Sequence, residues 1–147
     1  MFSIGLFAII TDGENRVLLC HRTDYDLWNL PGGGMEHGET PWKGVVREMK
    51  EELGVDIEVE RLVDVACKPH ENDIIFTFLC DIAPNQAIKT GDDVDRAEFF
   101  EFDRFPGNTS PRHKERVKGF LEQVCKGAAL RKQMGKSTVE LIWEGKF

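Results

Sequence analysis

The chain has 147 residues, of which 41% are hydrophobic and 31% charged, and its formal net charge is −7. That length makes one domain with a sizeable core, and the composition is ordinary for a soluble globular protein. The acidic balance excludes loose binding to a nucleic-acid polymer, which needs a basic surface. It leaves open a small anionic substrate, provided that a cation mediates.

The apolar runs Phe2–Thr11 and Arg16–Arg22 flank Asp12-Gly13 and read as a β-hairpin. The opening "MFSIGLFAIITDG" has no basic flank or cleavage site. Its apolar stretch of about ten residues is too short to span a bilayer. A first strand, a cytoplasmic location and no membrane partner are expected. "LWNLPGGGMEHGE" packs one proline and four glycines into a short stretch and reads as a loop. Thr40 as N-cap, Pro41 at the first helical position and Gly54 as the stop predict a helix over Pro41–Leu53. Lys43 stands where a capping box would carry Glu.

Strands are expected where Ile57 and Val59 alternate with Glu58 and Glu60, over Asp73–Ile82, and over Ala97–Phe102. The middle one is apolar almost throughout, as in a strand buried on both faces. A second helix is expected from Pro111 to Cys125, its apolar face made by Val117, Phe120, Leu121 and Val124. The tail from Lys126 is ambiguous, with "STVELIW" readable as one more strand. The expectation is a single α+β or α/β/α layered domain over residues 1–147. Cys20, Cys67, Cys80 and Cys125 are scattered, without a C-x-x-C pair, and read as buried thiols.

On the first helix Trp42, Val45, Val46, Met49 and Leu53 form one stripe, which is the buried face. Glu48 and Glu52 lie at its edge and Glu51 further round, while Gly44 leaves bare backbone beside them. Like charges four residues apart cost an isolated helix roughly 0.2–0.5 kcal/mol per pair, and glutamates in a last turn face the negative end of the helix dipole. Something outside the helix must offset this. Convergent carboxylates beside a glycine-rich loop suit Mg²⁺, which takes oxygen ligands. Taken alone, the same helix also reads as a solvated acidic face.

Spacing decides between the two. Gly33, Glu39 and the run Arg47-Glu48-Met49-Lys50-Glu51-Glu52-Leu53-Gly54-Val55 fit G-x5-E-x7-R-E-U-x-E-E-x-G-U at every position, with U a bulky apolar residue. Nine such constraints coincide by chance roughly once in ten million chains of this length at average residue usage. The segment resembles the Nudix box, the signature of the Nudix hydrolases, MutT-like proteins included. The resemblance implies an α/β/α sandwich with a mixed sheet between helices. It implies hydrolysis of a nucleoside diphosphate linked to another moiety, with Mg²⁺ as cofactor and Mn²⁺ as a substitute. It makes Glu48 and Glu52 the main metal ligands, completed by Glu51 and the carbonyl of Gly32, and it makes Arg47 and Glu39 a structural clamp.

A carboxylate must take the proton of the attacking water, and Glu51 is the first choice. Comparison with MutT-like proteins offers the loop before "AEFFEF" as the alternative source, with Asp93 favoured over Asp92 and Asp95. A solvated acidic turn is the plain reading of that loop. Arg22 is a candidate for phosphate or ribose contact, or a surface residue. Trp28 reads as packing under the loop. His21, His37, His70 and His113 lack ligand spacing and read as structural or solvated. Arg112, Lys114, Arg116 and Lys118 make the second helix basic, either attracting an anion or forming a solvated face. Asn108 in "FPGNTSP" resembles the base-reading Asn of MutT-like proteins but comes one residue sooner, and turn or cap chemistry explains it as well.

Subgroup signatures are missing. Tyr25 is the sole tyrosine and precedes the box, the coenzyme A pyrophosphatase motif is absent, and Pro69 misses the spacing of ADP-ribose pyrophosphatases. Nucleoside triphosphates and nucleotide sugars or ADP-ribose both stay open, as does a homodimer. The rival readings are a non-catalytic Nudix-fold module that binds or senses a nucleotide, and a plain carboxylate metal-binder. The complete set of box carboxylates disfavours the first, and the glycine loop with the Arg47–Glu39 spacing disfavours the second.

Overall fold

A computed structural model describes residues 2–122 and 127–147. β1 (Ser3–Ile10) and β2 (Val17–Arg22) alternate their side chains between two buried sides. Leu6, Ala8 and Ile10 of β1, with Leu18 and Cys20 of β2, face α1 (Pro41–Leu53), which contributes Val45, Met49 and Leu53. Ile9, Val17 and Leu19 turn the other way, toward Val117 of α2 (Pro111–Glu122). Helix, sheet and helix thus form three layers around two apolar cores.

The larger sheet is mixed, in the order β4-β1-β6-β5-β8. β1 runs parallel to β6 (Asp73–Ile82) and antiparallel to β4 (Gly32–Gly34). β5 (Ile57–Lys68) pairs antiparallel with β6 and parallel with β8 (Ala129–Lys132). The smaller sheet, β3-β2-β7, is antiparallel, with β3 at Leu27–Asn29 and β7 at Val94–Phe100. No helix among the described residues is long and apolar enough to cross a membrane.

The segment expected to be a loop contains two short strands, β3 and β4. Glycine is what lets β4 form: a Cβ at Gly32, whose φ is +154°, would stand 2.0 Å from the Leu6 carbonyl oxygen. β7 begins at Val94, ahead of the expected Ala97, because β2 continues to pair with it across a bulge between His21 and Arg22. The tail reverses the reading of "STVELIW", which forms α3 (Thr138–Trp143). Its start is fixed by a capping box between Ser137 and Glu140, the signal that the strand reading overlooked. The strand in the tail is instead β8.

Trp42 belongs to the first turn of α1 and stays 55% exposed, so the buried stripe begins at Val45. Gly44 is where the helix meets β1, since a Cβ there would press on Leu6 and on Glu39. On α2 the expected Leu121 is largely exposed, whereas Arg112, His113 and Arg116 are buried beside Val117. Val124 and Cys125 lie outside the described residues. Cys20 and Cys80 are buried and Cys67 half-buried.

Candidate active site

α1 is held at both ends by its sequence. Thr40 accepts the Lys43 amide proton, and Gly54 adopts the left-handed conformation that closes the helix. The C-terminal half of α1 therefore lies against β4, with its glutamates facing the glycines. The fit is tight, because a Cβ at Gly33 would touch the Glu48 carboxylate at 2.7 Å. The Gly32 amide donates to Glu52 Oε1 at 3.2 Å. In the ladder, Ala8 N–H bonds the Pro31 carbonyl and Met35 N–H the Ile4 carbonyl. Gly32 therefore points its own N–H and C=O away from β1, toward α1.

Arg47 organises the carboxylates. Its guanidinium donates to Glu39 Oε1 and Oε2 at 2.7 and 3.0 Å and to the Gly34 carbonyl at 3.0 Å. It also reaches Glu48 Oε1 at 3.0 Å and Glu51 Oε2 at 3.1 Å. Glu39 in turn accepts the Glu36 amide proton at 2.7 Å. The Arg47–Glu39 clamp thus ties the glycine segment to the helix, and Arg47 with the Glu36 amide holds the Glu39 carboxyl down at about 2.

Glu48 and Glu52 are a different pair. Burial, opposed by Arg47, pushes the Glu48 carboxyl up. Burial and then the neighbouring Glu48 charge push Glu52 up to about 8, against the pull of the Gly32 amide. Two desolvated carboxyls side by side, with a strand carbonyl beside them, form an oxygen-donor set that a divalent cation would relieve. Among the described residues no three His, Cys, Asp or Glu side chains converge ready-made on one point. Arg47 draws Glu51 and one oxygen of Glu48 toward itself. Glu51 is also the exposed member of the three.

A cavity of about 580 Å³ opens over these groups, lined by Glu48, Glu51, Glu52, Gly32, Asp93 and Arg22 among others. Asp93 precedes β7, its carbonyl accepts the Thr23 amide proton, and its charge bears on Glu52. Asp92 lines the same cavity. Asp95 is turned away to His21, whose Nδ1 lies 2.7 Å from Asp95 and whose Nε2 lies 2.7 Å from Asp26. Arg22 is paired with Asp24 at 2.5 Å.

A domain model described as NUDIX matches residues 1–123. The chain belongs to the Nudix family. It is a Nudix hydrolase, an enzyme acting on diphosphate bonds. Among similar proteins, a putative 8-oxo-dGTP diphosphatase of Bacillus subtilis is 29% identical over 82% of this chain and 80% of its own length. An ADP-ribose pyrophosphatase of Methanocaldococcus jannaschii is 33% identical over 78% of this chain and 73% of its own. The crystal structure of a NUDIX hydrolase from Nitrosomonas europaea superimposes with a TM-score of 0.78 at 24% identity, over 89% of this chain and 78% of that one, and shares the fold.

Other candidates sit apart from the Nudix glutamates. Asn108 lines neither this cavity nor a second one, of about 420 Å³, that adjoins it. Its amide donates to the Asp26 carbonyl at 2.7 Å and its own carbonyl accepts the Trp28 amide proton, so it staples the β3 turn to the loop before α2. Trp28 is buried edge-on against His21 and Phe100, a packing residue. His113 is buried, accepts the Leu30 amide proton at 3.1 Å, and is held well below the usual imidazole range by burial. Asn29, which the sequence reading passed over, lines both cavities, and its Oδ1 is buried without a partner. Its only sequence signal is its place in the Trp-Asn pair just ahead of the glycines.

Proposed function

We propose that the chain hydrolyses a nucleoside diphosphate linked to another moiety, in a reaction that depends on a divalent cation. The observation that carries this reading is the pair of buried Glu48 and half-buried Glu52 facing the Gly32–Gly33 backbone beside the 580 Å³ cavity. Glu48, Glu52 and the Gly32 carbonyl hold the cation, Mg²⁺ or Mn²⁺, with Glu51 completing the set when it leaves Arg47. The cation supplies charge neutralisation at the phosphate oxygens and acidifies the attacking water.

The chain's own groups do the rest. Arg47, locked by Glu39, keeps the glycine strand and helix in register. Glu51, exposed at the cavity edge, accepts the proton from water, with Asp93 across the cavity as the second candidate. Arg22 swings from Asp24 to a phosphate oxygen. Nucleoside triphosphates and nucleotide sugars or ADP-ribose are the substrate classes. The relatives named 8-oxo-dGTP diphosphatase and ADP-ribose pyrophosphatase fall on either side of that division.

The test is a panel of both classes with Mg²⁺, with Mn²⁺ and with chelator, the products analysed to locate the broken bond. The expected result is cleavage within the diphosphate of at least one class, abolished by chelator. Tight nucleotide binding with no cleavage under any metal would favour the non-catalytic module instead.

A further inference from the structure

A second cavity of about 420 Å³ adjoins the first, and Phe7, Arg22, Asn29 and Gly33 line both. Its volume suits a nucleoside-sized group. The two cavities differ in charge. The first is dominated by carboxylates, whereas the second has Lys68, Arg112 and Arg116 in its walls. Lys68 is paired with Asp73 at 3.2 Å and Arg112 with Glu71 at 2.5 Å, and both of those carboxylates line the same cavity.

Among the described residues Arg116 has no such partner. It is completely buried, lies over the Phe7 ring at 5.5 Å, and donates from Nη2 to Gln133 at 3.3 Å. Its Nε and Nη1 are buried with no acceptor among the described residues. Asp64 attracts it but forms no ion pair with it, being bonded to Arg131 at 3.4 Å. Burial pulls the guanidinium down to about 10. A desolvated cation with unmade hydrogen bonds is costly to keep. In a chain of net charge −7, this one stands beside the substrate cavity rather than at the surface.

We propose that the second cavity receives an anionic group of the substrate, a phosphate or carboxylate carried by the moiety beyond the scissile diphosphate, with Arg116 as its counter-charge. This rests on the reading that the first cavity holds the diphosphate. The substrate then bridges two cavities of opposite sign, its diphosphate reaching the acidic one through the cation and its distal anion meeting the basic one directly. Phe7, shared by both cavities and packed on Arg116, is the residue that shifts to admit it.

Two measurements test this. In the first, the metal-free full chain is titrated with inorganic phosphate and followed by amide NMR, since without a cation the acidic cavity repels the probe. Saturable shifts centred on Ser3, Ser110 and Thr138 are expected, with a Kd on the order of 1–10 mM, weakened about tenfold or more in Arg116→Gln, the size of a lost charge-assisted contact. No saturable binding, shifts centred on Gly32 and Asp93, or an unchanged Kd in the variant would overturn the proposal. The wild-type map decides alone if the variant does not fold.

In the second, kcat/KM is compared within matched pairs: NADPH against NADH, UDP-glucuronate against UDP-glucose, and coenzyme A against its dephospho form. At least one pair should favour the more anionic member by about tenfold, and in Arg116→Gln the ratio of kcat/KM within that pair should fall to about one. Equal hydrolysis within every pair overturns the proposal. If no pair is hydrolysed at all, the phosphate titration alone decides the anion site, and the proposed function stands or falls on its own panel of nucleoside triphosphates, nucleotide sugars and ADP-ribose.

Discussion

Glu52 sits in a helix end that disfavours negative charge and beside a second buried carboxyl, and it responds by holding its proton up to about pH 8. Asp93 and Asp95, two residues apart, divide in role, one facing the cavity and the other bound to His21. Asp93→Asn should therefore lower turnover by about a hundredfold or more, the usual contribution of a proton-transfer group, and Asp95→Asn much less. Equal small losses would leave Glu51 as the sole base. Glu39 titrates below its unfolded value of 4.5, so the stability it contributes is complete above pH 4.5 and is lost as pH falls toward about 2. Thermal melts of Glu39→Gln should accordingly lose slope in that window, and a slope equal to the wild type's would dismiss the clamp. The box residues were legible because their spacing is unusual. Arg116 and His113 were not, because an Arg or His on a helix reads as solvated until a cavity is known to lie beneath it.

At the scale of elements, β4 lies against β1 because its first residue is glycine. Gly32→Ala should cost about 2–4 kcal/mol, as expected for a Cβ forced onto a neighbouring carbonyl, read as a lowered melting temperature. Little change would mean that β4 is not pressed against β1 as described. The smaller sheet is fastened at His21, whose imidazole is raised by Asp26 and then by Asp95. Its stabilisation is complete below the unfolded value of 6.5 and is lost as pH rises through the folded value. His21→Gln should remove that part of the decline in melting temperature as pH rises above 6.5, and an unaltered decline would assign it elsewhere. Hydrophobic periodicity disclosed β1, β2, β6 and both main helices. It could not disclose β3, whose three residues are too few for an alternation to show, nor β4, since glycine carries no pattern, nor α3, whose six residues are too few for a helical period to stand out.

Across the whole molecule, the α/β/α layering brings the glycine strand, the acidic helix end and the loop before β7 around one cavity, with residues from α2 and the tail closing the next. That assembly joins parts far apart in sequence, which is why the box was readable and the second cavity was not. The central claim is that the Glu48–Glu52 pair serves a cation and not the fold. It is tested most directly by comparing Glu52→Gln with the wild type on the best substrate, with melting temperatures taken with and without Mg²⁺. The variant should lose at least about a hundredfold in kcat, what losing a cation's charge stabilisation implies at roughly 1.4 kcal/mol per decade. Its metal-free melting temperature should hold or rise, and the increase that Mg²⁺ gives the wild type should vanish. Near-normal turnover in Glu52→Gln, or an undiminished Mg²⁺ effect on its melting, would contradict the claim.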